Sequence, residues 1–203
     1  MDGFARRKEQ SKEDIRKAAW ELFGQFGVEK VSVNDIARKA NVSHATIYNN
    51  FGSKEALVRE FVTAMVEQLV DKIQEILAPN TQFDQKMAAF FQFISEMLVD
   101  NRSMAESPIF TSSIDLQNDP DIRQIRDAAQ ERTTNLLLEL FAEGKQQGQV
   151  NPNLSDEVLI IYFKMFMDMF IRPELHYQFR QNPQMITDLG WLMMHGLGRV
   201  DTP

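Results

Sequence analysis

Between Ser32 and Glu55 the chain reads SVNDIARKANVSHATIYNNFGSKE, a stretch with room for two very short helices back to back and for nothing else. Ser32 is placed to cap the first helix. Asp35, three residues on, completes the reciprocal pattern that satisfies the orphan N–H groups of a helix start. Ile36, Ala37 and Ala40 give this helix a small apolar face. Asn41 falls where the chain must reverse, and Asn tolerates the left-handed conformation better than most residues other than Gly. Ser43 is a second cap, so a new helix is expected from about His44 through Asn50, with Ala45, Ile47 and Phe51 toward the first. This is helix-turn-helix spacing.

The side chains left facing outward from the second helix are His44, Thr46, Tyr48, Asn49 and Asn50, all hydrogen-bonding groups and none acidic. Such a helix suits the major groove of double-stranded DNA, where Asn, Thr and His read base edges while hydroxyls and N–H groups hold phosphates. Ser53 then caps a third helix that opens on Lys54. A lysine there opposes the helix dipole, which makes sense if an external anion is expected. Charge agrees once it is divided. The whole chain carries −7, but residues 1–60 hold 11 Lys+Arg against 9 Asp+Glu, or +2, and residues 61–203 hold 11 against 20, or −9. Arg6, Arg7, Lys8 and Lys12 lie near the start of the first helix, and Arg38, Lys39 and Lys54 flank the reading helix. Arg59 and Lys30 read as solvated surface charges.

Helical periodicity continues along the rest of the chain. Ile15, Ala18, Ala19, Leu22, Phe23 and Phe26 mark a first helix from roughly Glu9 to Phe26, stopped by Gly27. From Lys54 the stripe Leu57, Phe61, Met65, Leu69, Ile73 and Ile76 runs to Pro79. Helices are then expected over Phe83–Val99, less regularly over Arg102–Ser113, and over Pro120–Gln147, Ser155–Phe170 and Pro183–Val200. Asn118-Asp119-Pro120 is the start signal of the long central one. No stretch alternates apolar and polar residues between turns. The expected fold is all-α with about nine helices, an N-terminal three-helix helix-turn-helix domain over 1–60 and a larger helical bundle over 61–203.

Residues Ile15 to Phe61 resemble the DNA-binding domain of TetR-family transcriptional regulators. The resemblance rests on Leu22-Phe23, Gly27, Val31-Ser32-Val33, Ile36-Ala37, Val42-Ser43, Thr46-Ile47-Tyr48, Phe51, Ser53-Lys54-Glu55 and Leu57 in register. Asn41 stands where the family usually has Gly, and His44-Ala45 where a polar residue and a Gly are frequent. The resemblance implies a ligand-released repressor on a palindromic operator, contacting DNA through Ser32, Val33, Ser43, His44, Ala45, Thr46, Tyr48, Asn49, Asn50 and Lys54. It also implies a homodimer through the last two long helices, 155–172 and 184–200, whose apolar stretches Leu154–Phe170 and Ile186, Leu189, Met193, Leu197 and Val200 suit that role. Gly190 and Gly196 beside the latter stripe would admit another helix closely.

A hydrophobic small-molecule effector is the further implied partner, held in the C-terminal bundle by Phe90, Phe93, Met97, Met104, Phe110, Phe141, Phe163 and Phe166. Most such residues serve a core in any helical protein. Asp168 sits in an apolar stretch, where it should pair with Lys164 or Arg172 or else meet a cationic ligand. Occupancy of the bundle would displace the helix from Lys54 to Leu77 and so change the separation of two reading heads. A helical ligand-binding protein without DNA binding is the alternative. An enzyme is the poorest fit, because His44, His176 and His195 are scattered, His176 follows Pro173 in an expected loop, and no metal or phosphate-loop motif is present. No cofactor is expected. The chain has no cysteine, in keeping with a reducing cytoplasm, and its most apolar run, about 14 residues, is too short for the ~20 a bilayer needs.

Overall fold

The computed structural model describes residues 3–78, 80–100, 119–170 and 172–196. Among these every regular element is helical: α1 Gly3–Phe26, α2 Val33–Ala40, α3 His44–Phe51, α4 Lys54–Leu77, α5 Phe83–Asp100, α6 Pro120–Gln146, α7 Asp156–Met167, α8 Pro173–Gln181 and α9 Gln184–His195. Pro79, the stretch 102–113 with Met104 and Phe110, Asn118, Ile171, Leu197 and Val200 lie outside the described residues. The chain divides into two compact units, Met1–Glu67 with Glu106–Arg126, and Gln68–Ala105 with Asp127–Pro203.

In the first unit α1 supplies Ile15, Ala18, Ala19 and Phe23 to a core shared with Ile36 and Ala37 of α2, Ile47 of α3, and Leu57, Val58 and Phe61 of α4. Phe23 meets Phe61 at 5.4 Å between ring centres. Arg16 spans this core's edge, its Nε donating to Glu60 at 2.8 Å and its guanidinium lying over the Phe51 ring. The helix begins at Gly3 rather than near Glu9, because the polar turns that precede the apolar stripe are helix-compatible and nothing in them breaks the backbone ladder.

The second unit is built on aromatic packing. Phe83, Phe141, Phe163 and Phe90 form a chain of ring contacts with centroids 5.6 to 6.3 Å apart, and Phe91, Phe166, Phe170 and Phe179 continue it. Lys86, whose side chain is buried, reaches the carboxylate of Glu143 and so ties α5 to α6.

Several expectations change. Of the stripe expected on α4, Leu57, Phe61 and Ile73 are buried while Met65, Leu69 and Ile76 are half-buried; Val58, Val62, Val66, Val70 and Leu77 complete the buried face, because at 3.6 residues per turn a line of four-residue steps drifts around the helix and one face draws on two adjacent lines. The segment read as a loop around position 176 is α8, started by Pro173 at a first-turn position that needs no N–H. Asp168 is the exposed C-cap of α7 and makes no ion pair with Lys164 or Arg172 among the described residues. Gly190 does permit close approach, but of Phe91 in the same chain, whose ring lies 2.8 Å from where a Cβ would stand. Gly196 has open space around it, and its φ of 67° supplies the reason for glycine.

Candidate nucleic-acid interface

The two short helices are held by their caps. Ser32 Oγ accepts from the N–H of Asp35 at 3.2 Å, and the Asp35 carboxylate accepts in return from the N–H of Ser32 at 3.0 Å, so α2 starts with both orphan donors satisfied. The exchange holds the Asp35 carboxyl below its ordinary range, through the Ser32 hydroxyl first, the Ser32 N–H next and the Arg38 charge last. At the other end Asn41 adopts φ 53° and ψ 44°, the N–H of Val42 donates to Ala37 O at 3.0 Å and that of Asn41 to Arg38 O at 3.4 Å. This paired left-handed closure turns the chain directly into Ser43.

Ser43 Oγ then accepts from Thr46 N at 3.1 Å and caps α3, and the Ser43 and Thr46 hydroxyls lie 2.8 Å apart. Ile47 is buried and locks α3 to the core, which leaves His44, Ala45, Tyr48 and Asn49 exposed and Thr46 and Asn50 half-buried. Ala45, expected toward the first helix, is therefore on the open side. His44 and Tyr48 sit one turn apart with ring centres 4.8 Å apart. Asn50 Nδ2 donates to Thr46 O at 2.8 Å, so its amide is committed to its own helix. Val33 is buried, which leaves it only a backbone N–H at a helix start for any anion, whereas the Ser32 side chain is exposed.

The expected cations are engaged unequally. Arg38 pairs with Asp35 at 2.9 Å and Lys39 with Glu21 at 2.8 Å, while half-buried Lys54 makes no ion pair among the described residues. Ser53 Oγ caps α4 by accepting from Ala56 N at 3.1 Å. Arg59, read as a solvated charge, pairs with Asp119 and Asp121.

Residues 15–61 match the family described as bacterial regulatory proteins, tetR family. Those residues are a tetR-family domain. Among similar proteins, the HTH-type transcriptional regulator YhgD of Bacillus subtilis is 33% identical over 73 residues, 36% of this chain and 38% of that protein. The chain thus spans about two fifths of YhgD's length. The HTH-type transcriptional repressor KstR2 of Mycolicibacterium smegmatis is 21% identical over 153 residues, 75% of this chain and 74% of KstR2. The crystal structure of the regulator FadR from Bacillus subtilis, in complex with stearoyl-CoA, superposes with a TM-score of 0.68 at 20% identity, covering 92% of this chain and 100% of FadR. At that identity the likeness is one of fold. These relatives are regulators rather than enzymes.

In the second unit, Phe90, Met97, Phe141, Phe163 and Phe166 are buried and Phe93 is half-buried. The open cleft there is lined by other residues, with Met87 and Phe91 on α5 and Trp191 and Met194 on α9. No sequence signal marked it, since Met87 and Met194 lie outside any motif and the cleft forms only where two helices distant in sequence meet. Among the described residues no helix is long and apolar enough to cross a membrane, and no three His, Asp or Glu side chains cluster as a metal site would require.

Proposed function

We propose that the chain is a DNA-binding transcriptional repressor that acts as a homodimer on a palindromic operator and is released by a hydrophobic small-molecule effector. One observation carries the reading: α3 is pinned through Ser43 and Ile47 so that His44, Ala45, Tyr48 and Asn49 stand in solvent with no acidic side chain among them. A major-groove helix needs that presentation. Residues 1–60 would be the DNA-binding domain, with Ser32, Val33, Thr46, Asn50 and Lys54 at its margin, and 61–203 the ligand-binding and dimerisation domain. The working place of such a protein is the cytoplasm.

Two further observations support the partners. On α7 the buried face is Leu159, Ile160, Phe163 and Phe166, and the opposite one exposes Val158, Ile161, Tyr162 and Met165. A second copy covering that stripe would give the paired heads a palindrome requires. Stearoyl-CoA and lauroyl-CoA occupy the FadR structures of Bacillus subtilis and Thermus thermophilus, which favours a hydrophobic effector here. Both α4 and α6 supply residues to both units and are the proposed carriers of the signal.

The test is a gel shift with the DNA adjoining the chain's own coding sequence, at two salt concentrations. Specific binding that weakens steeply with salt is expected, lost in Tyr48→Ala and Lys54→Ala proteins that keep their oligomeric state. Ligand binding without any specific DNA complex would replace this reading by that of a helical ligand-binding protein.

A further inference from the structure

The cleft between α5 and α9 has a volume of about 780 Å³, the size of a site for one drug-sized molecule. Its floor is apolar, with Met87 and Phe91 nearly inaccessible. Beside them Trp191 remains 49% exposed, a large aromatic surface left open to solvent. His195 stacks on it with ring centres 4.6 Å apart and planes 19° from parallel. His195 Nδ1 lies 2.9 Å from Trp191 O, and since a carbonyl only accepts, Nδ1 is the donor of that bond.

Among the described residues that line the cleft, Asp84 contributes a carboxylate and none is a Lys or Arg. Asp84 makes no ion pair among the described residues, because Lys86 two positions on is turned into the core against Glu143. The surrounding sequence, 61–203, carries 11 basic against 20 acidic residues.

We propose that this cleft binds a flat aromatic organic cation, its ring system on Trp191 and its positive charge toward Asp84. An indole face attracts a cation, and the Asp84 carboxylate, which accepts from the Gln85 N–H at 2.9 Å but makes no ion pair among the described residues, adds to that attraction. A polyphosphate head group such as that of coenzyme A meets no Lys or Arg among the described lining residues, so the site selects against the ligand class seen in the FadR structures. As an effector site the cleft rests on the reading of a ligand-released regulator; as a binding site it does not.

The experiment titrates the full chain, without DNA, against 9-aminoacridine as the flat cation, anthracene-9-carboxylate as its anionic counterpart, and lauroyl-CoA. Saturable binding of the cation in preference to both anions is expected. Trp191→Ala should weaken it about tenfold, Asp84→Lys about fivefold, and Ala88→Trp, which fills the cleft, should abolish it. Equal binding of the carboxylate, or cation binding unchanged in Ala88→Trp and Asp84→Lys, overturns the proposal. Asp84 is exposed, so the charge reversal remains decisive even if a cleft-filling variant fails to fold. Operator release is read separately, with Asp84→Lys protein as the control for dye acting on DNA. Dye binding without release supports the site and counts against its effector role.

Discussion

Arg59 Nη1 donates to Oδ2 of Asp119 at 2.9 Å, while the other oxygen of that carboxylate, Oδ1, accepts from the N–H groups of Asp121 and Ile122 at 2.9 and 3.2 Å. One carboxylate therefore caps α6 and fastens it to α4 within the first unit. Asp121 adds a longer contact to Arg59 at 3.5 Å. The cap should contribute more than the ion pair, since Arg59 is about one third exposed. Asp119→Ala is expected to cost about 1 to 2 kcal/mol in chemical denaturation, and Arg59→Met under about 1 kcal/mol. Asp119→Asn keeps a capping oxygen and should resemble Arg59→Met. Equal losses for Asp119→Ala and Asp119→Asn would show that the cap contributes nothing.

The same carboxylate sets a pH dependence. Burial pushes the Asp119 carboxyl up, but the Ile122 N–H, the Arg59 guanidinium and the Asp121 N–H together outweigh it and hold it below its ordinary value. A depressed folded value means that the unfolded state binds the proton more readily. The stabilisation is thus complete above the ordinary Asp range, about pH 4, declines below it, and vanishes once the pH passes the folded value. The stability gap between the native protein and Asp119→Asn should hold constant from neutral pH to about 5 and close as acid is added below about 4. A gap that widened on acidification would have the wrong sign.

Asn41, with φ of 53°, is the only non-glycine residue of positive φ among the described residues. Its neighbours' hydrogen bonds demand that conformation, as the Val42 N–H reaches back five residues to Ala37 O. Asn41→Gly should leave stability within about 0.5 kcal/mol, whereas Asn41→Ala should cost about 1 kcal/mol and Asn41→Val more. Thermal melts of the three variants check the order, and an Ala variant as stable as the native protein would contradict it.

The head was legible from sequence because its signals are local. Ser32, Asp35, Asn41 and Ser43 each act within five residues, so spacing alone placed α2, the turn and α3. Side-chain partners were less legible. Nothing near Arg59 in sequence announces Asp119, sixty residues on, and the Arg reads as a surface charge until the fold joins them. Gly190 gave the opposite error: a small residue beside an apolar stripe fits an approach by another chain or by the same one, and only Phe91 decides it. The helix α8 escaped because nine residues beginning Pro-Glu-Leu-His-Tyr carry no sustained apolar face. The aromatic core showed the limit of composition, since Phe and Met density marks a packed interior and an open cleft alike.

Val158, Ile161, Tyr162 and Met165 recur at helical spacing on α7 with exposures of 51, 57, 46 and 66%. The Tyr162 hydroxyl donates to Met193 O at 3.0 Å and so anchors the base of this stripe to α9. A copy of the chain docked there would desolvate the stripe twice over by symmetry. Ile161→Asp would place two unpaired carboxylates in that contact, each costing several kcal/mol, and is expected to weaken the dimer at least about a hundredfold by sedimentation while leaving helical content unchanged. Operator affinity should fall with it, because one head then binds alone. Tyr162→Phe is the matched control: it keeps the apolar face and should lose only about 1 kcal/mol of subunit stability, with the dimer retained. An Ile161→Asp protein that remains dimeric would move the interface off α7.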